Sequence, residues 1–128
     1  MFDYNFMSMR NSKWNKYEAA LLIDGYNRVA KGHASKKEVA IIISERLRST
    51  GLMISETYRN VNGITLQLGA IQFLMTDGAH GISHVSNLFR EIVKLYKEDS
   101  TEFAKLLEEA KHRYPDKILC HPKEIIYK

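Results

Sequence analysis

Asn15-Lys-Tyr-Glu18-Ala-Ala-Leu-Leu22-Ile-Asp-Gly-Tyr26-Asn-Arg-Val29-Ala-Lys-Gly32 is the stretch that decides the fold class. Asn15 and Glu18 stand three residues apart, a spacing that lets each side chain satisfy a free backbone N–H at a helix start. Behind them Ala19, Leu22, Ile23, Tyr26 and Val29 recur at three and four residues, one apolar stripe on a helix of about four turns. Gly32 follows the last of them as a stop.

The same grammar repeats downstream. Ser35 and Glu38 form a second capping box, Val39, Ile42, Ile43 and Leu47 a second stripe, and Gly51 a second stop. The β-branched run Val39-Ala-Ile-Ile-Ile43 also fits a buried strand, but the box before it and the polar Ser44-Glu-Arg46 after it favour a helix. Leu52 to Tyr58 reads as an irregular connection. Asn60-Val-Asn62-Gly63 is a turn, with Asn62 expected to cap a third helix over about 63–75. That helix carries Ile64, Leu68, Ile71 and Met75 on one face and Leu66 and Phe73 on the opposite one, which predicts a central helix covered on both flanks.

Thr76 to Ser83 is a glycine-containing loop, and Ser83 is expected to cap a fourth helix bearing Val85, Leu88, Phe89, Ile92, Val93 and Tyr96. Asp99 and Glu102 predict a third capping box, for a fifth helix with Phe103, Leu106, Leu107 and Ala110, ended before Pro115. The expected architecture is all-α: about five helices in one compact domain over 14–114, the first three helix-turn-helix-like. An N-terminal arm (1–13) precedes it and a C-terminal tail (115–128) follows, with apolar clusters at Ile118-Leu-Cys120 and Ile125-Ile-Tyr127.

Composition agrees with one globular domain. The chain has 128 residues, 45% hydrophobic and 27% charged, enough apolar material for a core. Its single cysteine, Cys120, leaves no intrachain disulfide framework and no clustered-cysteine zinc site. No apolar run approaches the roughly 18 residues of a membrane span. The opening Met1–Met7 has an early acid and no signal pattern, so a cytoplasmic protein with no membrane contact is expected.

The net charge of +4 lies wholly in residues 1–60, where ten Lys/Arg face six Asp/Glu; residues 61–128 hold nine of each sign. Phosphate contacts need cations, so this asymmetry fits a nucleic-acid-facing surface, although an ordinary solvated surface also accommodates it.

No constellation supports catalysis. His80 and His84 have i, i+4 spacing with Asp77 nearby, which would suit a metal hydrolase, but Gly81 lies between them and no Glu follows the first histidine. Ordinary loop histidines are the better account. Cys120-His121 lacks a third group to orient a base. Phosphate-binding glycine loops and paired CxxC motifs are absent from the sequence, so no enzyme activity, cofactor or metal is expected.

The order Trp14-x-x-x-Glu18, Leu21-Leu22-x-x-x-Tyr26, Leu47-Arg48, then Tyr58-Arg59-Asn60-x-Asn62-Gly63-Ile64-x-x-x-Leu68 resembles an N-terminal helical domain of bacterial restriction and mobile-element proteins, one often found ahead of an HNH nuclease domain. The layout from Trp14 to Leu68 is also similar to Myb/SANT-type three-helix DNA-binding units, in which a Trp opens the first helix and an Arg precedes the third. The resemblance implies a DNA-recognition module, with Arg59, Asn60 and Asn62 at the matching motif positions. Two departures are visible: no HNH residues follow, and the third helix has no Lys or Arg.

The leading expectation is therefore a non-catalytic DNA-binding module, with Lys13, Lys16, Lys36 and Lys37 on phosphates and Arg59, Asn60 and Asn62 at the turn seating the third helix. The alternative is a protein-interaction or dimerisation domain without nucleic-acid binding, with a homodimer formed through the tail or the N-terminal arm.

Overall fold

A computed structural model describes residues 13–49 and 55–116. They form five α-helices: α1 (Lys16–Ala30), α2 (Lys36–Arg48), α3 (Val61–Met75), α4 (Asn87–Glu98) and α5 (Ser100–Arg113), with no strand among the described residues. The all-α reading holds. The Gly51 stop, residues 1–12 of the expected arm and residues 117–128 of the expected tail lie outside the described residues.

Two helices start as their spacing requires. Glu18 N–H donates to Asn15 Oδ1 at 2.8 Å while Asn15 N–H donates to Glu18 Oε1 at 3.0 Å. The Ser35–Glu38 pair repeats this at 3.0 and 2.9 Å. The β-branched run of α2 is helical, and Val39, Ala40 and Ile43 are buried.

Two expected starts need correction, and a third, at Asp99, stands with only half of its capping box. Asn60, not Asn62, caps α3, accepting from Gly63 N–H at 2.8 Å; Arg59, at φ 46, turns the chain one residue before it. Ser86, not Ser83, caps α4, accepting from Phe89 N–H at 3.1 Å. At α5, Asp99 accepts from Glu102 N–H at 3.1 Å, but the reciprocal bond does not form. The Asp99 N–H already closes the last turn of α4 on Leu95 O at 2.8 Å, and Glu102 accepts from Lys105 Nζ instead.

The central helix is α1 rather than α3. It packs against all four others and buries Glu18 through Ile23. Gly25 makes this possible on the α2 side: a Cβ there would lie 2.7 Å from Val39 Cγ1 and 2.8 Å from Ile43 Cδ1. Helix α3 packs on α1, α2 and α4 with Ile64, Leu68 and Ile71 inward. Part of its outer side is covered by the loop over 76–86. Ile82 N–H donates to Gly69 O at 3.0 Å, and Gly81, at φ 100, sits where any Cβ would meet Gly69 O at 2.5 Å. That docking holds residues 79–82 against α3, which is why α4 begins later than Ser83.

Candidate functional site

The turn that was expected to face DNA is a buried electrostatic node. Arg59 is 3% exposed and Glu18 1%. Arg59 Nε donates to Glu18 Oε2 at 2.9 Å and Nη2 to Glu18 Oε1 at 3.0 Å, the two-pronged geometry that makes guanidinium–carboxylate pairs strong. Nη2 also donates to the Lys13 carbonyl at 3.1 Å. The guanidinium carbon lies 3.9 Å from the Trp14 ring centroid and 4.7 Å from that of Tyr58, and Trp14 in turn meets Phe89 edge-on at 6.1 Å. On the backbone side, buried Ser44 Oγ donates to Arg59 O at 2.7 Å, and Arg48 Nη1 donates to Tyr58 O at 2.6 Å.

Arg59 is therefore withdrawn from the set of DNA contacts. A phosphate could reach it only by displacing Glu18, whose carboxylate would then be left buried without its cation, at a cost of about 3–5 kcal/mol. Asn60 spends its side-chain oxygen on the cap of α3. Asn62, Lys13 and Lys16 are exposed and share the end of the bundle at which α1 and α3 begin. Lys16 Nζ lies 5.3 Å from the Tyr17 ring, and its side chain borders a groove of about 370 Å3 with Tyr17, Ile92, Glu102, Lys105 and Glu109. Lys105 is already paired with Glu102 at 3.2 Å, and two glutamates balance the two lysines, so the groove offers a phosphate no net positive charge. Lys36 and Lys37 are exposed at the start of α2, beside Val29 at the far end of α1. Fifteen residues of helix separate the two lysine pairs by about 22 Å. The expected cations do not converge on one turn.

Burial also perturbs two groups near the carboxyl end of α5. The Arg46 guanidinium is pushed below its ordinary value by desolvation, with Asp116 acting in the opposite sense, and it donates from Nε to Tyr114 O at 2.8 Å. Desolvation pushes the Tyr114 phenol up, while the hydrogen bond from Asn15 Nδ2 at 3.1 Å opposes it. Both groups fasten α5 to its neighbours.

His80 and His84 are exposed in the loop, and Asp77 pairs with Lys97 Nζ at 3.1 Å. Among the described residues no group of three His, Cys, Asp or Glu could hold a metal ion. None of their helices is long and apolar enough to cross a membrane.

What the structure adds is an uncharged surface. Helix α3 has no ionisable side chain in fifteen residues. Asn62, Leu66 and Phe73 follow one another at helical spacing on its outer side, and the Ile82 side chain lies over Gly69 between them. Leu66 is 57% exposed and Ile82 39%. The sequence pattern had already placed Leu66 and Phe73 opposite the core stripe, but the contribution of Ile82 depends on the loop docking and was missed. Glu18 was also missed as a partner of Arg59, although its place four residues before Leu22, in line with an apolar stripe, was a signal that a cation must meet it.

Comparison with known proteins brings no match: no family model, no curated protein and no solved structure matches this chain. The resemblances to restriction-associated and Myb/SANT-type domains rest on the quoted motif residues alone.

Proposed function

We propose that this chain is a non-catalytic interaction domain that self-associates through the outer face of α3 and the loop folded onto it. The observation that carries this reading is Leu66, a leucine 57% exposed on a helix without a single charge. Depletion of charge around an exposed apolar group marks the centre of protein interfaces rather than ordinary surface. A second copy is the occupant that fits best. The net charge of +4 lies wholly in residues 1–60, and residues 61–128, which include α3, are neutral overall, so two α3 faces can meet with no like charges opposed. A two-fold arrangement would bring Leu66 against the partner's α3 and Ile82 into the rim.

The contact is small. A helix of this length and ordinary width offers roughly 220 Å2, well below the about 800 Å2 per partner of a standard interface, so the association is weak and transient. Sedimentation velocity over a concentration series tests it: the weight-average mass should rise with concentration, and Leu66→Glu should hold it at the monomer value with an unchanged thermal melt. A strict monomer at every concentration removes the reading.

Duplex DNA is a second, narrower reading, supported by exposed Lys13, Lys16 and Asn62 at the end of the bundle where α1 and α3 begin. It no longer includes Arg59. Fluorescence anisotropy at low salt decides it: binding that weakens steeply with salt and is lost in the Lys13→Ala/Lys16→Ala variant would revive it.

A further inference from the structure

On a different flank of α3 from Leu66, three helices line a half-open pocket of about 100 Å3 formed by Tyr26 and Val29 of α1, Lys36 of α2, and Leu68 and Gln72 of α3. Its walls combine two chemistries. Leu68 is buried, and Val29 and the Tyr26 ring are half-buried beside it, giving an apolar floor. Lys36, Tyr26 and Gln72 each bring a hydrogen-bond donor, and none of their side chains makes a hydrogen bond or ion pair to another described residue. Among the described residues no carboxylate lines the pocket, and the nearest acid on α2, Glu38, is held by the Ser35 N–H. Lys36 also occupies the first turn of α2, where the helix favours negative charge.

We propose that this pocket binds a small aliphatic carboxylate. The apolar part would lie against Val29 and Leu68 and the carboxylate would meet the Lys36 ammonium, with the Tyr26 hydroxyl and the Gln72 amide as further donors. Size sets the limit. An apolar cavity of about 150 Å3 accepts benzene, so one of about 100 Å3 takes a tail of about four carbons. A longer chain would have to run out of the pocket into solvent. The site is independent of the self-association face, so either can fail without the other.

The test is a two-dimensional 15N–1H titration of the full chain with 3-methylbutanoate, and in parallel with its neutral isostere 3-methylbutanamide. The acid should give saturable shifts confined to Tyr26, Val29, Lys36, Leu68 and Gln72. Binding should weaken about tenfold or more in Lys36→Met, because a charged hydrogen bond is lost, and to a similar extent for the amide. Val29→Phe, which fills the pocket from a half-exposed position, should abolish it. Absence of saturable shifts, shifts centred elsewhere, or equal affinity for the amide or for the Lys36→Met variant would each overturn the proposal.

Discussion

Arg59 and Asp77 flank α3, one before it and one after. Both are non-glycine residues in left-handed backbone, at φ 46 and 54, and both form an ion pair. The likeness ends there. The Arg59–Glu18 pair is 2% and 1% exposed at its side chains, whereas Lys97 and Asp77 are 38% and 87% exposed. Water screens the second pair and leaves it worth little, about 0–1 kcal/mol at most. In the first, each charge is hidden and tolerable only because the other is present. One turn is an internal fastening; the other borders an open surface. A charged residue at the start of a helix can thus look like a binding residue in sequence and serve packing alone.

The largest expected effect follows from removing half of the buried pair. Glu18→Ala should lower stability by about 3–5 kcal/mol in urea denaturation, since it strands the Arg59 guanidinium and also removes the reciprocal half of the α1 capping box, the Asn15 N–H bond to Glu18 Oε1. The double variant Glu18→Leu/Arg59→Met should recover much of that loss, because apolar replacements leave no buried charge. If Glu18→Ala melts like the parent, the node is not structural and Arg59 returns as a candidate contact.

Gly81→Ala should be next. The alanine would have to adopt φ 100 and place its Cβ 2.5 Å from Gly69 O, a strain of about 1–3 kcal/mol. Faster amide exchange at Ile82, whose N–H bonds Gly69 O, would report the loop lifting from α3. Unchanged protection there would mean that the loop does not need the close approach. Smallest of all, Asp77→Asn, which removes the charge but keeps a residue suited to the left-handed turn, should move stability by no more than about 0.5 kcal/mol. A larger loss would erase the contrast between the two turns.

The helices were legible because caps and stripes are local. Asn15 and Ser35 each stand three residues before a glutamate, and the apolar period behind them leaves one choice of face. Where a turn offers several capping residues, sequence alone does not choose. Asn60 wins over Asn62 because the Arg59 backbone is fixed from α2 by Ser44, and Ser86 over Ser83 because Ile82 is bound to Gly69. The candidate site was harder for the same reason. Lys13, Lys16, Lys36 and Lys37 were readable as exposed, but their separation across α1 depends on how α2 packs. The burial of Arg59 depends on a carboxylate 41 residues away in the chain.

If interaction belongs to the α3 face and structural fastening to the Arg59 turn, a concentration series of 15N–1H spectra separates the two. The amides of Leu66, Gly69, Phe73 and Ile82 should shift progressively as the protein is concentrated, while those of Tyr58, Arg59 and Asn60 stay fixed. Shifts that ignore concentration, or that gather at the Arg59 turn, would contradict it.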